Sequence, residues 1–380
     1  SDKRRKAKTL RQQQRIRKTM ISKIKLIARN IVAGANIATI VVMLAVGYSD
    51  YINPSVHPLA ATIGLAFPVM LLINLGFLMV WLIVCKRMIF IPIIGFIMCY
   101  VPIRKYIPFN IPHDTPIGCM KVLSFNVHGY VYDKGVENSF ETTMNYVKNS
   151  KADILCIQED LGQWLNPKVH LDSIYQYSSR LEVGDMKMNA VSVYSKYKII
   201  KTERIDYESK RNGSIACWLN VNGKTVIVIN NHFESNHLTN DDKNRYKQMF
   251  HGDIERDTVK KETQYIAGKL ANAAKLRAPQ ARAVANYIKS HPDYPIIVCG
   301  DFNDSPISYT HRTVADGLTD CYIETANGPG LSYNQKGFNV RIDNILCSSH
   351  FTPYNCRVDN KIHASDHYPI YCWLKFNYKP

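Results

Sequence analysis

Paired cysteines, acidic residues at one end and surplus positive charge at the other are all scarce in this sequence. Ten cysteines occur in 380 residues, but none forms a C-x-x-C pair and none stands at a Cys/His ligand spacing. The zinc-ligand and dithiol patterns that such spacings announce are therefore excluded. Several cysteines fall inside apolar runs, Cys156 in ILCIQE, Cys299 in IIVCGDF and Cys347 in NILCSS, and read as small buried hydrophobes. Acid is almost missing from residues 1–105, where only Asp2 and Asp50 stand against sixteen Lys and Arg, a balance of +14. The other 275 residues carry thirty-two basic and twenty-nine acidic side chains, or +3, so the overall +17 belongs to the N-terminal end. The C-terminal part lacks the electrostatic footprint of a non-specific DNA binder. It also lacks a basic stripe interleaved with aromatics to grip single strands.

What the N-terminal part does have is apolar length. Three runs follow a basic tail of about thirty residues: Ile31–Tyr48, Leu59–Cys85 and Met88–Ile103. The second holds twenty-seven uncharged residues, more than the roughly 20 that a helix needs to cross a bilayer, and Pro68 is a candidate kink. The third is shorter, contains two prolines, and reads as a short span, a re-entrant piece or an interfacial segment. A signal peptide is the simpler account of a basic start and an apolar run; the long charged region and the second, longer run argue against it. The tail suits an interfacial helix on anionic lipid. The loop SDYINPSVHP has no Lys or Arg, whereas the tail and Lys86-Arg87 do. This asymmetry puts the tail in the cytoplasm and the loop outside. If the third run crosses, the rest of the chain lies outside the cytoplasmic membrane, the arrangement favoured here. The expected division is 1–30 basic tail, 31–112 membrane region and 113–380 soluble domain.

From Met120 onward, short β-branched runs alternate with helical stretches, which implies a layered α/β (α+β) domain. KVLSFNV, DILCIQE, NAVSVYS, ACWLNV, TVIVINNHF, PIIVCGDFN, RIDNILC and YPIYCWLKF read as strands, and SFETTMNYVKNS as a helix. DILCIQE is apolar enough to be buried on both faces, and Asn222-Gly223 signals a hairpin. The polar stretch 236–275 reads as an irregular insertion beside the site, helical in its later part. Pro279 is expected to open a second helix.

Polar residues follow several of these runs: Asn126, Glu159, His232, Asp301 with Asn303, Asp343, and Asp366 with His367. Strand ends are where α/β scaffolds place chemistry, because loops converge there while the strands hold position. A hard cation such as Mg²⁺ wants carboxylate and amide oxygens, which Asn126, Glu159 and Asp366 supply. Attack by water on a phosphoester needs a base. A carboxylate–His pair, Asp343 with His367, is one option; a poised Asp301 is the other. Asn303 suits stabilisation of the charged transition state, and His232 can donate to phosphate oxygens or to the leaving group. Asn189 is a further candidate for reaching substrate.

FNVHG, IQE, NHFES, GDFND, RIDNIL and SDHYPI, in this order, closely resemble the endonuclease/exonuclease/phosphatase superfamily, over roughly residues 119–376. The resemblance implies a four-layer αββα sandwich of the DNase I type, here preceded by two or three transmembrane helices. It implies Asn126, Glu159 and Asp366 as metal residues and Asp301 with Asn303 as the pair that positions the nucleophile. It further implies His367 as base or phosphate contact, oriented by Asp343. His232 matches the DNase I and sphingomyelinase branches rather than the abasic endonucleases. SVYSKYKII is similar to a structural segment of the family, with Lys198 where Pro is usual. The expected activity is a membrane-anchored, divalent-metal-dependent phosphoester hydrolase. Its expected cofactor is Mg²⁺, with Mn²⁺ or Ca²⁺ as alternatives. Its expected substrate is a lipid head group or other small phosphodiester at the bilayer, with a membrane-bound nuclease acting on nucleic acid as the alternative and a catalytically silent scaffold as the third. Specificity is expected in loops 130–138, 160–188, 236–256 and 325–340.

Overall fold

The computed structural model describes residues 2–131, 138–161, 165–183, 189–251, 256–335 and 338–377. Parts of all four loops expected to carry specificity lie outside the described residues. The chain divides into two compact units, one made of residues 1–47 and 66–101 and the other of residues 48–65 and 102–380.

The first unit is helical. α1 runs Asp2–Gly47, α3 Phe67–Val84 and α4 Phe90–Met98; the short α2, Pro58–Ala61, belongs to the second unit, and α5, Tyr100–Tyr106, enters it at Pro102. The basic tail is thus not a separate interfacial helix but the start of one 46-residue helix, since no Gly or Pro interrupts it before Gly34. Two helical stretches, Thr9–Tyr51 and Pro58–Val84, are long and apolar enough to cross a membrane; a third pair, Lys86–Met98 and Tyr100–Tyr106, is bent by 66°. The helices hold one another through buried amides. Asn36 Nδ2 donates to Asn74 Oδ1 at 3.2 Å, Trp81 Nε1 donates to Asn36 Oδ1 at 3.0 Å, and Thr39 Oγ1 donates to Asn74 Oδ1 at 3.2 Å. Buried polar side chains that satisfy one another in this way tie the helices together.

The second unit is an αββα sandwich. Its strands are β1 Met120–Asn126, β2 Ile154–Gln158, β3 Tyr177–Val183, β4 Asn189–Ser195, β5 Lys198–Ile205, β6 Gly213–Val221, β7 Lys224–His232, β8 Ile296–Asp301, β9 Thr319–Asp320, β10 Tyr333–Gln335, β11 Phe338–Val340, β12 Asp343–Cys347, β13 Phe351–Val358 and β14 Ile370–Phe376. Its further helices are α6 Ser139–Ser150, α7 Pro167–Leu171, α8 Asn240–His251, α9 Arg256–Lys289, α10 Tyr309–Val314 and α11 Cys321–Thr325. One sheet has the order β13-β14-β1-β2-β4-β3 and the other β5-β6-β7-β8-β12-β9. β10 and β11 form a small hairpin of their own.

Period-two alternation explains the layering. Along β1, Val122 faces the opposite sheet, while Leu123 and Phe125 face α6 with Phe140, Met144 and Val147. Along β7 and β8, Val228 and Cys299 face inward, whereas Ile227, Ile229 and Val298 face Ala281, Val284 and Ile288 of α9. Cys156, Cys217, Cys299, Cys321, Cys347, Cys356 and Cys372 all lie in the layer between the sheets as free thiols, so they are small buried hydrophobes as the spacing suggested. β2 is buried at every position. Asn222 and Gly223 both have positive φ, 53° and 88°, which makes the two-residue turn of the β6–β7 hairpin.

Two expectations fail. α8 is helical where an irregular segment was expected, and α9 continues through Pro279 instead of restarting there. A proline removes only one helical hydrogen bond, and burial of Ala278, Ala281, Val284 and Ala285 on the same helix keeps the turn in place.

Candidate active site

The topology brings one edge of both sheets to a point. β1 and β2 are parallel, and so are β7 and β8, so the C-terminal ends of all four strands reach that edge. Asn126 ends β1, Glu159 follows β2, His232 ends β7 and Asp301 ends β8, with His232 and Asp301 directly opposite in register. The antiparallel strands start where the parallel ones stop. Asp343 opens β12 opposite Asp301, and His367 lies just before β14, which pairs with β1. Gly300 has φ 131°, and a Cβ there would sit 2.0 Å from the Asn231 carbonyl oxygen. Only glycine lets β8 approach β7 closely enough to deliver Asp301.

Asp301 is the hub. Its Oδ2 accepts from Asn126 Nδ2 at 3.0 Å and from Asn303 Nδ2 at 3.2 Å, and its Oδ1 accepts from the Asn303 backbone N–H at 2.8 Å. The ring nitrogens of His367 and His232 stand 3.7 and 3.8 Å from Oδ2. His367 Nδ1 is hydrogen-bonded to Asp343 Oδ2 at 2.8 Å. On the other side, Asn126 Nδ2 also donates to Glu159 Oε1 at 3.1 Å, and His232 Nε2 is 3.5 Å from the same oxygen. The structure therefore brings together Asn126, Glu159, His232, Asp301, Asn303, Asp343, Asp366 and His367. Asn189 is elsewhere: its amide donates to the Arg211 carbonyl at 3.3 Å, and it does not line the pocket described below.

Burial shapes the titration of the hub. Burial raises the Asp301 pKa to about 6, and the neighbouring Asp343 charge adds to the rise against the opposing pull of His367 and His232. Burial alone would lower His367, but the Asp343 and Asp301 carboxylates and the hydrogen bond to Asp343 outweigh it and hold the imidazole well above its ordinary value. A buried carboxyl poised near neutrality beside a retained imidazolium is an acid–base pair in waiting.

Several polar atoms here are buried without a hydrogen bond: both ring nitrogens of His232, Asp343 Oδ1 and Asp366 Oδ1. Buried groups in that state call for an explanation, a catalytic role, an ordered water or an ion among them. Glu159 and Asn303 adopt left-handed backbone conformations, φ 55° and 52°, a strain that side-chain residues tolerate where function fixes it. His128, which sequence reasoning passed over inside FNVHG, also has positive φ and holds its Nδ1 3.3 Å from Asp366 Oδ1 and 3.7 Å from Glu159 Oε2. The ligand-type atoms of Asp301, Asp343 and His367 lie within 4.8 Å of one another, a compact carboxylate–imidazole trio next to the more open Glu159–Asp366 pair.

Above this floor lies a cavity of about 250 Å³. Its walls include Arg277 and Leu270 of α9, Lys243 of α8, Tyr333, and Ala61, Thr62 and Leu65. Arg277 is buried and bonds the Glu234 carbonyl and Asn236 Oδ1, both at 2.9 Å. The segment 236–275 does lie beside the site, as expected, though largely as helix.

Fold and floor together define a hydrolytic site of the two-sheet phosphoesterase kind. The Endonuclease/Exonuclease/phosphatase family matches residues 123–367, well over half of the chain, and the chain belongs to that family. At the level of the superfamily it is a phosphoester hydrolase. Residues 29–106 match a domain of unknown function (DUF8431). The chain is similar to TDP2 from C. elegans, at 18% identity over 70% of this chain and 77% of that one, with a TM-score of 0.46. It is similar to the human nocturnin catalytic domain with bound sulfate anion, at 14% identity over 68% and 95%, TM-score 0.49. A family protein from Leptotrichia buccalis C-1013-b is 16% identical over 68% and 100%, TM-score 0.47. No curated protein matches the chain.

Proposed function

We propose that the protein is a membrane-anchored, divalent-metal-dependent phosphoester hydrolase whose substrate is a lipid head group or another small phosphodiester at the bilayer surface. The observation that carries the chemistry is the convergence of Asn126, Asn303, His232 and His367 on one buried carboxylate, Asp301. That constellation can deprotonate one water and surround one phosphoryl group with donors, which is what phosphoester hydrolysis asks of a protein.

The side chains divide the work. Asp301 is the base for the attacking water, since its pKa near 6 leaves it ionised yet basic at neutral pH. Asn303 holds Asp301, and because its amide also donates to the Phe233 carbonyl at 3.0 Å, it must release one of these bonds to reach a phosphoryl oxygen. His367, kept protonated by Asp343, donates to the phosphate rather than taking the proton from water. His232, with both ring nitrogens unengaged, protonates the leaving oxygen or bonds to it.

Glu159 and Asp366 with Asn126 fit a hard cation. The donors are oxygens, and Asp366 Oδ1 is buried without a hydrogen bond. The Asp301–Asp343–His367 trio is the tighter cluster, but its 2.8 Å hydrogen bond commits it to proton handling. Asn126 turns its Nδ2 toward the carboxylates and gives its Oδ1 to the His128 backbone N–H at 3.0 Å, so ligation asks its amide to turn over. Bound there, Mg²⁺ would neutralise the anionic phosphate and so ease attack.

The connectivity supports an external location. Residues 48–65 link the first two apolar helices and fold as part of the catalytic unit. A linker outside the membrane therefore keeps that unit outside with it, and the bent pair Lys86–Tyr106 becomes the third crossing. Lys86 and Arg87 then lie on the cytoplasmic side, with the basic tail. Labelling of Ser55→Cys and Lys86→Cys in intact cells by a membrane-impermeant maleimide tests this. Ser55→Cys alone should react; reaction of Lys86→Cys alone would reverse the topology.

The activity test uses the full chain in detergent with bis-p-nitrophenyl phosphate, a phospholipid panel and plasmid DNA, each in Mg²⁺ and in EDTA. Metal-dependent release from lipid or the small diester is expected. Good DNA cleavage with no lipid or small-diester turnover would replace this reading with a nuclease.

A further inference from the structure

The linker between the first two apolar helices belongs to the catalytic pocket. Ala61, Thr62 and Leu65 line the cavity above Asp301, next to Leu270 and Ile307. The linker is fixed there at several points along its length. The Arg312 guanidinium lies 3.6 Å from the centre of the Tyr51 ring, Asp50 is buried against Lys105 at 2.5 Å, and Arg282 Nη1 reaches Ser55 Oγ at 3.5 Å. Gly64 packs so tightly that an added Cβ would stand 2.4 Å from the Ile307 carbonyl oxygen. This is a built wall rather than a passing loop.

Its chemistry is one-sided. From Tyr51 to Leu65 the linker has no Asp, Glu, Lys or Arg. The cavity's cations, Lys243 and Arg277, come from α8 and α9, and each already has partners, Tyr333 for Lys243 and Asn236 with Asp304 for Arg277. A polyanion tracking through the pocket would need a line of cations to replace its counterions, and this wall offers it none. A single phosphoryl group bearing an apolar substituent matches this lining: charge toward Lys243 and Arg277, and carbon toward Ala61, Leu65 and Ile307.

We infer that Ala61, Thr62 and Leu65 form a specificity element that recognises the apolar chain on one side of a phosphodiester, so that the membrane linker selects amphipathic substrates over fully polar ones. The inference rests on the hydrolase reading above and deepens it by naming the substrate class and the residues that select it.

The test compares methyl and butyl p-nitrophenyl phosphate, both water-soluble diesters, with the full chain in detergent and Mg²⁺. Wild type should favour the butyl ester in kcat/KM by roughly tenfold. Leu65→Asp, at a side chain that is 43% exposed and so tolerant of charge, should erase the preference. Leu65→Ala should reduce it about threefold. Ile63→Asp, on the same linker but outside the cavity lining, should keep both the preference and the overall rate. An unchanged butyl-to-methyl ratio in Leu65→Asp and Leu65→Ala overturns the inference while leaving the hydrolase intact. Absence of metal-dependent turnover of either ester by wild type overturns the hydrolase reading and the inference with it.

Discussion

The floor of the pocket and its walls are made by different kinds of chain. The floor is eight polar residues at strand ends, locked by register and by hydrogen bonds of 2.8 to 3.2 Å around Asp301. The walls come from α8, α9, the β10–β11 hairpin and the linker 48–65, elements far apart in sequence; side-chain packing joins the helices and the linker, while the Asn334 N–H donates to the Asp366 carbonyl at 2.9 Å and ties β10 to the floor. The floor is positioned by backbone ladders that cannot slip without turning every side chain over. Apart from the β10–β11 hairpin, the walls are positioned by contacts that can be changed one at a time. Chemistry sits where the structure is rigid, and selection sits where it can vary.

The comparison is broken most decisively at the hub. Asp301→Asn keeps the shape and removes the base, so kcat should fall by about 10³–10⁴, equally for methyl, butyl and lipid substrates. A loss that depends on the substrate would mean that Asp301 also shapes the wall. Next in size is a support beneath the floor. Asp320 accepts from His311 Nε2 at 2.8 Å and from Arg341 Nη1 at 3.1 Å, and it caps α11 through the N–H groups of Tyr322 and Ile323. Asp320→Ala leaves the buried Arg341 without its carboxylate, still bonded to Asn344 Oδ1 and the Lys105 carbonyl, and unfolding free energy should drop by about 3 kcal/mol, read as a lower Tm. The pH dependence has a definite sign. Burial opposes its charge, but Arg341 and His311 more than compensate and hold the Asp320 carboxyl below its ordinary range; burial lowers His311. Both groups bind protons more readily unfolded. Their stabilisation is complete above about pH 6.5 and declines as acid is added, His311 first and Asp320 below about pH 4. The Asp320 carboxylate partly offsets the effect of burial on His311, so denaturation midpoints across pH 4–8 should show Asp320→Ala losing more stability than wild type, with Asp320's own contribution to wild type lost only below about pH 4.

Asp343→Asn comes next, at roughly 10² in kcat. The amide still bonds to His367 but no longer holds its proton, so the imidazole should titrate nearer its ordinary value and the rate should fall off at lower pH than in wild type. NMR of the His367 ring protons reads that shift independently of activity.

Much of the floor was legible because each of its residues ends or begins an apolar run, as Asp301 does after IIVCG and His367 does before YPIYCWL. The inward-facing strands were legible for the same reason. Strands β3, β5 and β13 were not. β3 and β5 are largely intermediate or exposed and β5 carries Lys198, Lys201, Glu203 and Arg204, as edge strands do to avoid pairing with other chains; β13 carries Pro353, tolerable only at an edge. His128 was hidden because a lone histidine after a strand has no local partner: its carboxylates, Glu159 and Asp366, arrive from other strands. The linker was hidden differently. Leu59, Ala60, Ala61, Leu65 and Ala66 extend an apolar run that reads as membrane, and only tertiary packing separates residues 58–65 from the helix that starts at Phe67.

The smallest expected effect tests that separation most finely. Gly64→Val must move the linker, since its first carbon would otherwise overlap the Ile307 carbonyl and crowd Ser49 Oγ at 2.9 Å. The floor does not include Gly64, and no ladder connects it to Asp301. The displacement should therefore raise KM for the butyl diester about threefold to fivefold, an energy of roughly 1 kcal/mol or less, with kcat on the methyl diester retained. If kcat on both esters falls together, the linker is coupled to the floor through Ile307 and the loop that follows Asn303. The wall would then not be independent of the chemistry, and the division between rigid floor and variable wall would give way to a single cooperative site.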